Sequence, residues 1–170
     1  MDNDFDIYCP ACGTKMTKIF MENAGFCVDI CLDGCGGLYF DNREFKKVDE
    51  NHENIDEIIT AIKGKTFQTV NTTEKRKCPC CKGVMVKNFS SINKNIEIDE
   101  CYACGGKFLD YGELQKVRAE FDNDEQRVAA MMNAVDSLIG KDLNALKSEV
   151  EQLKANRSPL RKLLGSYFKM

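Results

Sequence analysis

The chain reads Cys-Pro-Cys-Cys-Lys at residues 78–82 and Cys-Tyr-Ala-Cys-Gly-Gly-Lys-Phe-Leu-Asp at residues 101–110. The same order stands earlier, as Cys-Pro-Ala-Cys-Gly at residues 9–13 and Cys-Leu-Asp-Gly-Cys-Gly-Gly-Leu-Tyr-Phe-Asp at residues 31–41. Two cysteine pairs brought together from separate points of a chain form a tetrahedral thiolate site. The sequence therefore predicts two tandem metal-binding repeats.

The predicted metal is zinc, because thiolate is a soft ligand and Zn²⁺ accepts four of them in a closed shell. The predicted ligands of the first site are Cys9, Cys12, Cys31 and Cys35, and those of the second are Cys78, Cys81, Cys101 and Cys104. Four cysteines leave no open position for water, so both zinc ions are expected to be structural.

Two further cysteines compete with these assignments. Cys80 stands beside Cys81, but its use as a ligand would break the two-residue spacing, and we expect it to be exposed. Cys27 lies opposite Ile96 at the 69-residue offset that relates Cys9 to Cys78. It is therefore interpreted as a small buried apolar residue and a minor competitor for the first site.

Each repeat predicts a β-hairpin followed by a short helix. Residues 15–21 and 26–31 read as strand, turn and strand, and residues 84–89 and 96–100 repeat the pattern. Asp41 and Asp110 are then each followed three residues later by glutamate, as in a capping box at a helix start. The predicted fold class is a small metal-stabilised α+β protein with two tandem zinc ribbons and a helical C-terminal region.

The predicted domains are ribbon 1 at 5–48, a helix and linker at 49–77, ribbon 2 at 78–121, a helical or coiled-coil region at 122–157 and a basic amphipathic tail at 158–170. Within the connection, isoleucines at helical spacing predict a helix over residues 54–63 that Gly64 ends. The polar, threonine-rich residues 65–77 are expected to form a flexible linker.

The C-terminal region carries two short runs of apolar residues on either side of Gly140. The runs are Val128, Met132, Val135 and Ile139, then Leu143, Leu146, Val150 and Leu153. Two interpretations stay open: a helix that folds back on the same chain, or a coiled coil that makes a homo-oligomer through residues 122–157. Pro159 is expected to end the helix. The tail is either a docking element for a partner or a membrane surface, or a frayed terminus.

Charge and composition narrow the class of protein. The formal net charge is −3, and two zinc ions held by four thiolates each would take it to about −7. Broad binding to phosphate backbones usually needs a basic face, which neither repeat shows. A disulfide-rich secreted protein is the alternative for ten cysteines. The acidic start lacks a signal-peptide pattern, and no apolar run could span a membrane, so a cytoplasmic location is expected.

No catalytic residues are predicted. The single histidine, His52, sits in a polar stretch and is interpreted as solvated. The sequence shows no nucleophile–base pair, glycine-rich phosphate loop or paired acid motif, and so predicts no enzymatic activity.

The repeat resembles the bacterial transcription-factor zinc-finger family, named for its likeness to the zinc ribbon of general transcription factor IIB. The second copy carries the pattern at residues 78–81 and 101–114; the first has a longer second cysteine knuckle and Phe45 where the second has Leu114. The resemblance covers about half of the chain and implies structural zinc at the eight cysteines. It implies function only through the fold.

Three functions are compatible with the sequence. The first is a non-enzymatic adaptor or scaffold that binds proteins through its ribbons and helical region. The second is a nucleic-acid-binding or transcription-associated protein, with Arg76 and Lys77 beside a knuckle, Lys94 at a hairpin tip and the basic tail as contacts. The third is a rubredoxin-like iron protein that carries electrons, but its pair order differs and the chain has no tryptophan.

Overall fold

The computed structural model describes residues 6–90, 95–121 and 124–155. The chain divides into two units between Gln126 and Arg127. The first unit holds the cysteine repeats, and the described part of the second unit is most of one long helix. Hairpin-tip residue Lys94, Pro159 and the predicted tail at 158–170 lie outside the described residues.

Both predicted hairpins are present in the first unit. In ribbon 1, β1 (Thr17–Met21) pairs antiparallel with β2 (Phe26–Ile30). In ribbon 2, β4 (Val86–Phe89) pairs in the same way with β5 (Glu97–Glu100). Gly25 closes the first turn with a φ of +69°, a left-handed conformation that glycine adopts without strain.

Each ribbon also has a third strand, and these strands join the two ribbons. β3 (Leu38–Phe40) pairs with β2, and β6 (Lys107–Leu109) pairs with β5. β3 and β6 then pair antiparallel with each other, which gives one six-stranded sheet in the order β1-β2-β3-β6-β5-β4 among the described residues. The two repeats are therefore related by an approximate two-fold axis through the β3–β6 pair.

The two faces of this sheet have different roles, since alternate side chains of a strand point to opposite faces. Leu38, Phe40 and Leu109 pack into an apolar core that both ribbons share. Tyr39, between Leu38 and Phe40, and Phe108, next to Leu109, point to the other face of the sheet. There they pack against the cysteines. One face stabilises the fold by apolar burial, and the other carries the metal centres.

The short helices begin later than predicted. Ribbon 1 has only a 3-10 turn, Phe45–Lys47, with Glu44 as its N-cap, and α2 (Glu113–Arg118) follows Gly112. The glutamates nevertheless make the back-bond of a capping box: the Asp41 amide donates to Glu44 Oε2 at 2.8 Å, and the Asp110 amide donates to Glu113 Oε2 at 2.7 Å. The apolar residues after them, Phe45, Val48, Leu114 and Val117, enter the core that both ribbons share.

The connection between the ribbons follows its predicted helix closely. α1 (Asp56–Ile62) buries Ile58 in the shared core, and Gly64 follows with a φ of +72°. The residues beyond it form neither helix nor strand, yet they contact the first metal centre's loop. The Gln68 amide donates to the Gly34 carbonyl at 3.0 Å, and the Phe67 ring lies 4.7 Å from that of Tyr111.

A single helix, α3 (Asp124–Ala155), runs without interruption through Gly140. The interpretation in which the chain folds back is therefore wrong for a turn at Gly140, because one isolated glycine lowers helix stability by only about 1 kcal/mol and does not end a helix. The coiled-coil interpretation stays a prediction. No helix of the described residues is long and apolar enough to cross a membrane.

Candidate metal centres

The structure brings the eight predicted ligands together as two groups of four. In each group the sulfur atoms all lie within 4.8 Å of one another. The Sγ–Sγ distances are 3.4 Å for Cys9–Cys35 and Cys12–Cys31, 3.5 Å for Cys78–Cys104 and 3.4 Å for Cys81–Cys101. Each close pair joins one cysteine of the first knuckle to one of the second.

These distances fit zinc. A Zn–S bond of about 2.3 Å in a tetrahedron places the sulfurs about 3.8 Å apart, so a small outward movement of each thiolate would seat the ion. The donor set is four sulfurs in both groups, which suits Zn²⁺ and completes its shell. The two groups therefore fit two structural zinc ions.

Tight turns aim the sulfurs of each first knuckle at one point. The Gly13 amide donates to the Cys9 carbonyl at 2.9 Å, and the Lys82 amide donates to the Cys78 carbonyl at 3.0 Å. Gly13 has a φ of +76°, and Lys82, its counterpart in ribbon 2, has a φ of +63°. The turn thus needs the left-handed conformation even where the sequence supplies no glycine.

Backbone amides point at the sulfurs, as charge balance at a thiolate cluster requires. The Gly37 amide donates to Cys35, and the Gly106 amide donates to Cys104 at the equivalent place in ribbon 2. The Gly83 amide likewise donates to Cys81. These donors favour the thiolate, which is the form that binds metal.

The thiols of the first group also share protons. Hydrogen bonds from Cys35 and Cys9 lower the pKa of Cys31 to about 2, while the hydrogen bond with Cys31 raises the pKa of Cys35 to about 12. In the second group, burial opposes ionisation of Cys101, but the Cys104 amide and the Cys81 thiol lower its pKa to about 7. In each group at least one thiol therefore ionises readily, and a bound cation would favour ionisation of the thiols whose pKa is raised.

Tyr39 links the two ribbons at the second centre. It lies on β3 of ribbon 1, but its hydroxyl is 3.5 Å from Cys78 Sγ and 3.9 Å from Cys104 Sγ. Burial raises the pKa of Tyr39, and the neighbouring Cys78 raises it further, so the hydroxyl stays protonated and can donate to sulfur. A Cβ at Gly106 would overlap this hydroxyl, so the glycine makes room for it.

Arg76 is a buried structural residue that the sequence interpretation missed. Its guanidinium contacts Asp99 Oδ2 at 2.7 Å and Asp110 Oδ1 at 2.8 Å, and its Cζ lies 4.9 Å from the centre of the Phe108 ring. The predicted contact of Arg76 with nucleic acid is wrong, because the residue is only 3% exposed. Ribbon 1 has Ile7 in the equivalent position, where the apolar side chain is buried.

The two competing cysteines are not in either group. Cys80 packs, half-buried, against the cluster on the metal-bearing face and is not exposed as expected, while its neighbour Cys81 supplies the sulfur. Cys27 pairs with Phe20 across the hairpin, and the matching pair in ribbon 2 is Phe89 with Glu97. Cys27 therefore corresponds to Glu97 and not to Ile96.

This shift has a simple cause. The hairpin turn of ribbon 2 is one residue longer than that of ribbon 1, and the second knuckle of ribbon 1 is one residue longer than that of ribbon 2. The two insertions cancel. The 69-residue offset between the repeats therefore holds before and after the second strand of each hairpin, but not within that strand. His52, which is 65% exposed at its side chain, belongs to neither cysteine group.

Comparison with known families agrees with this geometry. Residues 8–50 and residues 77–120 each match the family model described as the transcription factor zinc-finger, a zinc ribbon of the transcription factor IIB type. No curated protein and no solved structure gives a significant match. The two matched regions contain both four-cysteine groups and together span just over half of the chain. The chain therefore belongs to the transcription factor zinc-finger family, with two tandem copies of its zinc ribbon.

Proposed function

We propose that the protein is a non-enzymatic adaptor that acts through protein–protein contacts. The observation that carries this proposal is a row of large apolar side chains on α3, which we term the α3 stripe. It consists of Val128, Met131, Met132, Val135, Leu138, Ile139, Leu143, Leu146 and Val150, each between 46% and 65% exposed. A continuous apolar surface of this length on a helix is typical of a protein-binding element.

The metal centres support a structural role for zinc. With four thiolates, each ion would have no position open to water or substrate. Zinc would then stabilise the joined ribbons, because each ribbon is too small to be stable through apolar burial alone. Binding of a partner protein would be a function of the protein surface and not of the metal.

A second candidate function is nucleic-acid binding, which the exposed tyrosine of the second knuckle favours. Tyr102 is 68% exposed, and an exposed aromatic ring can stack on a base. However, Asn88 donates both to the Tyr102 hydroxyl, at 3.2 Å, and to Glu100, at 2.8 Å, so a carboxylate lies close to the ring. Glu100 also pairs with Lys107 at 2.8 Å, so that lysine is already engaged within the chain, and the extended α3 stripe makes the adaptor our preferred function.

The two functions can be separated with the zinc-loaded full chain. Immobilised protein should capture a protein, either a second copy or another chain, and the substitution Val135→Asp in the α3 stripe should abolish the capture. Fluorescence anisotropy with mixed single- and double-stranded DNA and RNA should show no binding that weakens steeply with salt. Salt-dependent binding that Val135→Asp leaves unchanged would instead establish the nucleic-acid function.

A further inference from the structure

We propose that α3 pairs with the α3 helix of a second copy of this chain, in parallel and in register. The inference rests on the proposed function, since it names the partner of the α3 stripe. The pair would be a two-stranded coiled coil that carries two joined ribbon units.

The spacing of the stripe suits a helical partner of the same length. The central row of the stripe leaves out Met131 and Leu138, and its steps from Val128 to Val150 are four, three, four, four, three and four residues, or about 3.7 residues per turn. The two successive four-residue steps, from Val135 to Ile139 and on to Leu143, form a stutter that locally unwinds a left-handed supercoil. The stripe therefore stays on one side of a nearly straight helix, and a second α3 presents the same spacing at every level.

The residue types in the second half of the α3 stripe favour a coiled coil of two helices. In heptad terms Leu143 and Val150 occupy a positions, and Leu146 occupies the d position between them. Val150, a β-branched residue at a, with Leu146 at d is a combination typical of parallel dimers, whereas Leu143 at the other a position is not β-branched. In the first half, Met131 and Leu138 widen the stripe at g positions, and both are more than half exposed. In a parallel, in-register pair, the wider first half of one α3 stripe packs against the wider first half of the other.

Charged residues beside the stripe select the parallel arrangement. Asp142 lies at a g position and Lys147 at the following e position. In a parallel, in-register pair, each Asp142 lies next to Lys147 of the second copy, so this ion pair forms twice. Among the residues that the structure describes, neither side chain makes an ion pair within its own chain.

An antiparallel pair would lose this match. With the stripes aligned in opposite directions, Asp142 would lie beside Leu138 of the second copy, and Glu149 would lie beside Met131. Both contacts bury apolar surface against a carboxylate, which costs free energy. The spacing of the stripe and the flanking charges therefore both favour the α3 helix of a second copy, in the parallel direction.

The experiment is sedimentation velocity of the zinc-loaded full chain over a range of protein concentrations. We expect a concentration-dependent dimer. Val135→Asp should raise its dissociation constant at least about 100-fold, because it puts a carboxylate in the apolar seam. Ser137→Asp, which adds the same charge on the opposite side of the helix, is the matched control and should leave the dimer intact.

A charge exchange tests the direction. Lys147→Glu should weaken the dimer about tenfold, because it replaces two attractive pairs by two repulsive ones. The double variant Asp142→Lys with Lys147→Glu recreates both pairs in the parallel dimer and should bring the dissociation constant back to within about threefold of the original. Zinc content and circular dichroism of every variant verify that the ribbons remain folded.

Several outcomes would overturn the inference: a chain that is monomeric throughout, a dimer that Val135→Asp does not affect, a larger oligomer, or a charge exchange without recovery. A monomeric chain whose α3 stripe captures a different protein would refute self-pairing and leave the adaptor function standing. A dimer that passes these tests but also binds nucleic acid with a steep salt dependence that Val135→Asp leaves unchanged would replace the adaptor function by the nucleic-acid function and leave self-pairing standing.

Discussion

The hydroxyl of Tyr39, in ribbon 1, lies 3.5 Å from the sulfur of Cys78, in the metal centre of ribbon 2. The approximate two-fold axis explains this exchange, because Tyr39 and Phe108 are directly paired where β3 meets β6. Phe108 in turn packs against Gly37, beside the first centre. Each ribbon therefore places its central aromatic ring against the other ribbon's site, but only Tyr39 brings a hydrogen-bond donor.

Removal of the Tyr39 hydroxyl should weaken zinc binding at one site only. Tyr39→Phe keeps the buried ring but deletes the donor to Cys78, and loss of such a second-shell contact costs about tenfold or more in metal affinity. Competition with a chromogenic zinc chelator should then show one zinc per chain released more readily. Tyr8→Phe, at an exposed tyrosine, is the control and should leave both zinc ions as they were. Equal weakening of both sites would contradict the assignment of this contact.

Loss of one ligand should halve the zinc content. Cys101→Ser removes a buried sulfur of the second group, so that group can no longer complete a four-thiolate shell. Elemental analysis should fall from two zinc ions per chain to one. Cys80→Ser, which changes a cysteine outside both groups, should retain two. A colourless protein with this stoichiometry would also exclude the rubredoxin-like iron site, whereas iron in the purified protein would support it.

Substitution of Arg76 should strongly destabilise ribbon 2. Arg76→Met leaves the buried carboxylates of Asp99 and Asp110 without their shared cation, at a cost of about 3–5 kcal/mol in the free energy of unfolding. Urea denaturation of the zinc-loaded protein measures this loss. Lys77→Met removes a positive charge from the neighbouring exposed position and should change stability by less than about 0.5 kcal/mol. Similar effects of the two substitutions would mean that the buried ion pairs do not stabilise the fold.

A methyl group at Gly106 should also be destabilising. Its Cβ would overlap the Tyr39 hydroxyl, and relief of such overpacking costs about 1–3 kcal/mol. Gly83→Ala is the control in the same ribbon, because the nearest atom to its Cβ, Cys81 Sγ, is 3.4 Å away. In thermal unfolding, the double variant Gly106→Ala with Tyr39→Phe should recover part of this loss, because the overlapping hydroxyl is gone while the ring carbon Cζ stays 2.7 Å from the new Cβ. No difference between these backgrounds would show that the hydroxyl is not what limits the space.

Much of the metal chemistry could be predicted from local spacing. A Cys-x-x-Cys turn and its hairpin are formed by residues close in sequence, so the eight sulfurs, both hairpins and helix α1 followed from the pattern. The helix starts follow less directly from the sequence: the Asp41–Glu44 and Asp110–Glu113 pairs are visible in it, but they bond one turn before the helices begin. The position of Cys27 was misplaced because two insertions cancel in the overall offset.

The sequence by itself determined the two four-cysteine sites, because knuckle turns depend on residues that are neighbours in the chain. It also determined the family and the apolar periodicity of α3. Only the tertiary structure decided that three-residue strands β3 and β6 join the ribbons into one sheet, that Arg76 is buried between two aspartates, and that Tyr39 reaches the other ribbon's centre. These features depend on contacts between residues more than 20 positions apart, and neither spacing nor periodicity encodes which distant partners meet.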